Sequence, residues 1–230
     1  MQFPDLVCGR FVRRDNRFVT TVQIDNELHA AHMANPGRMR ELLDPGCRVW
    51  LAPVHSTTRR TAYDLVLIEY GGIPVSVDSR LPNRLFYEAL SDGLDLGRHY
   101  PQIETEVVRG QSRLDFRLTG PAGVCWVEVK SVTLVENRVA LFPDAPTVRG
   151  RRHLGELEEI VAAGQRALTV FVIQRPDADC FTPNRRTDPD FARALARAAR
   201  AGVEVRAYTC DVSPRAIAIA RRIAVVDLVA

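Results

Sequence analysis

Lysine is almost absent from this chain of 230 residues: of 31 basic side chains 30 are arginine, and Lys130 is the single exception. Arginine is always charged and forks its donors, so a position that stays lysine calls for a compact or titratable ammonium. Cysteine is sparse as well. Cys8, Cys47, Cys125, Cys180 and Cys210 are scattered, odd in number and free of any C-x-x-C pair, which argues against a disulfide framework or a zinc site and fits a reducing cytoplasm. No apolar run approaches the roughly 18 residues of a membrane helix. The opening Met-Gln-Phe-Pro-Asp lacks the basic start and apolar core of a signal peptide, so a cytosolic protein without a membrane partner is expected. Internal repeats, low-complexity tracts, a phosphate-cradling glycine loop and a nucleophile elbow are all missing. The five histidines show no metal-ligand spacing, and His29 and His32 read as ordinary turn or core residues. A net charge of +3 neither demands nor excludes a nucleic acid.

What is present reads as an ordinary soluble composition, with 46% hydrophobic and 26% charged residues. Six short β-like runs, Cys8–Arg13, Phe18–Ile24, Glu27–Ala34, Cys47–Val54, Ala62–Glu69 and Ile73–Val77, are separated by turn residues such as Asp25-Asn26, Pro36-Gly37 and Gly71-Gly72. They predict a small OB-like barrel, with Arg38–Leu43 as the short helix such barrels carry between strands. Ser79-Arg-Leu-Pro82 marks a boundary, giving a first domain over 1–82 and a second over 83–230. The second reads as a mixed α/β unit. It runs from a helix over Asn83–Asp92, N-capped by Asn83, to a strand near Gln102–Arg109 and a hairpin over 112–132. A helix over Arg151–Gly164 and a buried strand over Leu168–Gln174 follow. Asp188-Pro189 starts a further helix, and Val203–Cys210 and Ala216–Ala220 read as strands.

The hairpin carries the chemistry. If Gly120 to Gly123 form its loop, Thr119 pairs with Val124 and Asp115 lies opposite Glu128, while Glu128 and Lys130 share a face. Like charges facing each other on a sheet repel unless something neutralises them. A divalent cation does so. Mg²⁺ or Mn²⁺ takes hard oxygen ligands and needs only one or two carboxylates, so Asp115, Glu128 and the carbonyl of Val129 are the candidate metal ligands, with Lys130 to align water or stabilise charge on a phosphate. An ion-paired surface hairpin is the plainer alternative.

The spacing D-x₁₂-E-x-K resembles the PD-(D/E)xK nuclease core, and the order helix–strand–strand–strand–helix–strand agrees with it. The likeness extends further. Glu128-Val-Lys-Ser-Val-Thr-Leu134, Phe142-Pro-Asp-Ala145, Thr147 to Gly150, His153-Leu and Ala163-Gly-Gln-Arg-Ala167, with His32-Met-Ala-Asn-Pro-Gly-Arg-Met39, Pro45-Gly46 and Val49-Trp50, resemble the sugar fermentation stimulation protein A (SfsA) family. The N-terminal stretch departs from that family's more usual His-x-Pro-Asn-Thr-Gly-Ser-Met. The resemblance covers essentially the whole chain and implies an OB-like domain, a restriction-endonuclease-like αβββαβ domain and DNA binding. In nuclease cores of this kind a glutamate on the first helix often reaches the metal, which makes Glu88 a third catalytic candidate.

For nucleic acid, Arg149 in the proline-rich stretch Phe142–His153 is the leading contact, with Gln165 as a helper. Arg193, Arg197 and Arg200 recur at i, i+4 and i+7 on one face of the helix after Asp188. On the barrel the candidates are Arg10, Arg13, Arg14, Arg17, Arg59 and Arg60 with Phe11, Phe18 and Tyr63. Each of these also reads as a solvated face or a structural turn. Three functions follow: a Mg²⁺-dependent nuclease, a non-catalytic DNA-binding regulator of sugar metabolism that keeps the nuclease fold, or a hydrolase of a smaller phosphorylated metabolite.

Overall fold

The structure is a computed structural model and describes residues 1–56, 58–110 and 112–228. The six runs become β1 (Val7–Arg14), β2 (Val19–Ile24), β3 (Glu27–His32), β4 (Arg48–Pro53), β5 (Tyr63–Tyr70) and β6 (Ile73–Ser76). Strands β1 to β5 form an OB-like barrel in the order β3-β2-β1-β4-β5, closed by a parallel pairing of β3 with β5, and β6 hangs on β5. Alternation along each strand sends Phe11, Val22, Leu51 and Leu65 inward.

The short helix expected over Arg38–Leu43 is a turn instead. Met39 sits there at φ 45° with its side chain fully buried, and a left-handed residue cannot continue a right-handed helix. Its N–H reaches Asp144 Oδ2 of the second domain at 3.3 Å. A Cβ at Gly37 would collide with the same carboxylate oxygen, so a larger residue would have to push the Asp144 side chain aside where the two domains meet.

The second domain contains α1 (Leu81–Ser91), β7 (Gln102–Arg109), β8 (Ser112–Gly120), β9 (Gly123–Val132), β10 (Val135–Glu136), β11 (Val139–Phe142), α2 (Val148–Ala162), β12 (Arg166–Ile173), β13 (Cys180–Pro183), α3 (Pro189–Arg200), β14 (Glu204–Val212) and β15 (Ile217–Val225). Its mixed sheet runs β10-β11-β13-β15-β14-β12-β9-β8-β7, with β9, β12 and β14 mutually parallel. Parallel neighbours need crossovers, and α2 and α3 supply them. Both pack on one face through Leu154, Leu157, Ile160, Phe191 and Leu195. On the other face Leu85 and Phe86 of α1 meet Phe116, Val127 and Val170. Strand β12 is covered on both sides, which is why it reads as an unbroken apolar run.

Two boundaries differ from the sequence expectation in ways that matter. Helix α1 begins at Leu81, with Pro82 in its first turn, so Asn83 lies inside the helix rather than capping it. Helix α2 begins at Val148 with Thr147 as N-cap, its Oγ1 accepting from Gly150 N at 3.0 Å. Arg149 is therefore helical and not on a loop. Strands β10, β11 and β13 have no counterpart among the strands expected from sequence.

Gln174 joins the domains. Its carbonyl and Oε1 accept from Ser76 N (3.0 Å) and Ser76 Oγ (2.9 Å) of β6, while its Nε2 donates to Ser131 Oγ (3.0 Å), next to Lys130. Beside it the fully buried Arg175 lies 4.9 Å from the Tyr70 ring centroid and is paired with Asp177. No helix among the described residues is long and apolar enough to cross a membrane.

Candidate functional site

Thr119 pairs with Val124 and Gly120 with Gly123, which leaves Pro121-Ala122 as the turn. The β8–β9 ladder continues to Phe116 opposite Val127 and then opens. Asp115 fills the opening: its Oδ2 accepts from Val129 N at 2.7 Å, taking an amide that the ladder no longer satisfies. Its Oδ1 accepts from Asn83 Nδ2, also at 2.7 Å. Burial, then the neighbouring Glu128 charge, push the Asp115 carboxyl above the usual range, against the pull of Val129 N–H, Lys130 and Asn83.

Glu128 stands beside it and is only 3% exposed. Its Oε1 meets both Lys130 Nζ and His153 Nδ1. Its Oε2 is buried and has no partner. Burial alone would raise the pKa of this carboxyl, but the Lys130 ammonium and the His153 hydrogen bond outweigh it and hold Glu128 below the usual range. His153, 1% exposed on the inward face of α2, has its Nε2 occupied in turn by Arg149 Nε–H at 3.3 Å.

The structure thus gathers Asp115, Glu128, Lys130 and Arg149 and adds two residues the sequence reading did not assign to the site. From sequence Asn83 looks like a helix cap, whereas in the fold it lies within α1 and reaches Asp115. His153 was legible as a polar residue at a core position of the stripe Gly150, His153, Leu154, Leu157, Ile160. Val129 has its side chain in the core and gives its amide to Asp115, leaving the carbonyl as its only metal-ligand option.

Other candidates do not join them. Glu88 pairs with the Met1 ammonium at 2.8 Å and with Arg84 at 3.0 Å, so its carboxylate is already neutralised elsewhere on α1. Gln165 accepts from Trp126 Nε1 at 2.7 Å and anchors that ring. Arg193 is bonded to Asp190 and Arg197 to Glu158, leaving Arg200 as the member of that stripe without an ion pair among the described residues. Arg13 pairs with Asp15. Arg14 has all five N–H groups on carbonyls, those of Asn16, Arg17, Asn35, Gly37 and Arg38, so it shapes a loop and has no donor left for a phosphate. Phe11 is core. Arg17, Arg38, Arg40, Arg149 and Arg152 are exposed and form no ion pair among the described residues.

Residues fit for a hard divalent cation are present. A buried carboxylate oxygen without a partner beside a second carboxylate leaves a pair of hard oxygen donors unsatisfied. Among the described residues no group of three or more His, Cys, Asp and Glu side chains is arranged to hold a metal, and the cluster offers two carboxylates, Asp115 and Glu128, as hard oxygen donors.

Comparison with known proteins agrees with this architecture. Residues 12–77 match the model of the SfsA N-terminal OB domain, and residues 80–216 that of the sugar fermentation stimulation protein RE domain. A sugar fermentation stimulation protein homolog of Desulforamulus reducens is 48% identical over 223 residues, covering 96% of this chain and 93% of the relative. The homolog of Moorella thermoacetica is 49% identical over 218 residues, 94% of each. The solved structure of Pyrococcus furiosus SfsA in complex with Ca²⁺ superposes with a TM-score of 0.90 at 33% identity, covering 99% of this chain and 98% of that one. With both domains matched and relatives aligned along nearly its whole length, the chain belongs to the sugar fermentation stimulation protein (SfsA) family.

Proposed function

We propose that the second domain is a PD-(D/E)xK restriction-endonuclease-like core and that the protein is a cytoplasmic, DNA-binding, Mg²⁺- or Mn²⁺-dependent phosphodiesterase. The observation that carries this is the buried, partnerless Oε2 of Glu128 flanked by Asp115 and by the only lysine of the chain. Asp115, Glu128 Oε2 and the Val129 carbonyl would hold the cation, and the relative solved with Ca²⁺ makes a hard divalent ion the natural choice. When bound, such an ion supplies charge neutralisation and Lewis acidity at the phosphate. Lys130, tethered by Glu128 Oε1, aligns the attacking water and offsets charge building on the phosphate oxygens. His153, held by Arg149, occupies Glu128 Oε1, which would leave Oε2 to the cation.

The phosphate backbone meets the unpaired guanidinium groups of Arg149, Arg152 and Arg38 rather than the α3 stripe, where Asp190 and Glu158 already neutralise two of three arginines. The test is incubation with mixed DNA and RNA and Mn²⁺, beside Lys130→Arg, together with the salt dependence of binding. Cleavage by the wild type alone is expected. Replacing Arg38, Arg149 and Arg152 should flatten the salt slope by roughly one unit per contact, and replacing Arg193 and Arg197 should leave it unchanged. Binding without cleavage at any divalent ion would leave a DNA-binding regulator with a nuclease architecture.

A further inference from the structure

We propose that this site takes a single unpaired nucleic-acid strand, whose bases stack on a platform formed by Phe18 and His32 at the mouth of the cleft between the two domains. The proposal rests on the phosphodiesterase reading above and adds the form of the substrate. Phe18 is 42% exposed, unusual for a ring of its size. It stacks on His32 with centroids 6.3 Å apart and planes at 28°, and the Arg17 guanidinium lies 5.6 Å from its centroid. An aromatic face with a cation beside it accepts any base and its phosphate, without reading sequence. Phe18 belongs to the β1–β2 connection and His32 to β3. OB folds use these regions, the loop between strands 1 and 2 and the face of strands 2 and 3, for oligonucleotides.

The platform adjoins the cleft through Arg17, whose guanidinium lies beside the Phe18 ring and which also lines the cleft. Phe18 O accepts from Met33 N at 2.9 Å, and Asn35, Pro36 and Gly37, just beyond Met33 in the chain, line the cleft together with Arg17. On the second domain the cleft is lined by Ser131 to Leu134, which follow Lys130 in sequence, and by Leu141 to Thr147, which precede Arg149. Its single lining carboxylate, Asp144, accepts from Met39 N–H. A volume of about 260 Å³ suits one nucleotide rather than stacked base pairs, since pockets for whole drug-sized ligands run to roughly 300–1,000 Å³.

The full-length chain decides the matter by fluorescence anisotropy with labelled oligothymidylate and with a duplex of equal length, in Ca²⁺. The wild type should bind the single strand more tightly, and Phe18→Ala should weaken that binding about 5- to 100-fold while leaving duplex binding unchanged. Phe18→Trp should keep the affinity and lose indole fluorescence when oligothymidylate is added, with the wild type as the control for Trp50 and Trp126. Tighter binding of duplex by the wild type, or Phe18→Ala binding oligothymidylate as the wild type does, overturns the platform. If the platform fails while Mn²⁺-dependent cleavage persists and Lys130→Arg abolishes it, the phosphodiesterase reading stands alone. If the wild type neither binds nor cleaves any nucleic acid, both fail.

Discussion

Arg149 donates its Nε–H to Nε2 of His153 across 3.3 Å, and because a guanidinium can only donate, the proton on His153 Nδ1 is the one that faces Glu128. A helix turn thereby sets which oxygen of a carboxylate on the neighbouring strand is occupied. His153→Phe should weaken Mn²⁺ binding by about 10- to 100-fold, the usual cost of losing a group that orients a ligand. His153→Gln, which keeps a donor, should recover part of it. Titration calorimetry with Mn²⁺ reads both, and an unchanged affinity in His153→Phe would show that Glu128 is oriented without the ring.

Lys130→Arg should lower any cleavage rate by about 10²–10³-fold, the scale of losing one charge partner at a transition state. The guanidinium is larger and fork-shaped, and cannot take the place of an ammonium held against Glu128 Oε1. Nucleic-acid affinity should persist, because the charge does. Lys130→Ala is the poorer probe: it strips a partner from a buried carboxylate, so loss of fold would be mixed with loss of chemistry. Single-turnover rates beside anisotropy separate the two effects.

Asp115→Asn should make the protein more stable while removing its response to metal. Burial and the Glu128 charge oppose ionisation of Asp115. A neutral amide relieves that conflict and still accepts from Val129 N, and Asn83 can turn its own amide to match. A gain of about 1 kcal/mol, or roughly 2–4 °C in Tm, is expected. Adding Mg²⁺ should raise the Tm of the wild type and not of the variant, as differential scanning calorimetry can show.

Asp188 gives a pH-dependent prediction away from the site. Burial works against its charge, but Thr147 N–H (2.8 Å), Phe191 N–H (2.9 Å) and Arg151 (3.0 Å) outweigh it and hold its pKa below the usual value. A depressed carboxylate contributes stability above its unfolded pKa of about 3.9, and that contribution is lost as pH falls through the lower folded value. Asp188→Ala should cost about 1–3 kcal/mol at neutral pH, and the gap to the wild type should close only as pH drops below about 3.9. Urea denaturation at two pH values measures it.

The barrel strands, the hairpin register and the buried β12 were legible because each has a period or a turn that local chemistry dictates. Strands β10, β11 and β13 were not, since two to four residues are too few to display alternation, and they exist by pairing with partners distant in sequence. Helix α2 was read as starting late because Pro143 and Pro146 resemble a loop, whereas Thr147 caps the helix just beyond them. That shift hid the i, i+4 relation of His153 to Arg149, which appears only once the first turn is helical. Charge stripes were the least legible feature. Arg197 and Arg14 look free in sequence, and only the folded chain brings Glu158 and five carbonyls to them, whereas the i, i+3 pair of Asp190 with Arg193 is local to α3.

Lys130–Ser131 is the one peptide bond in the chain that a lysine-specific protease can recognise, and it lies within β9, hydrogen-bonded along β12 and covered by the joint at Gln174. Fraying at the ends of the chain or at the barrel loops offers such a protease nothing. The appearance of two fragments, split after residue 130, therefore clocks the opening of the sheet itself.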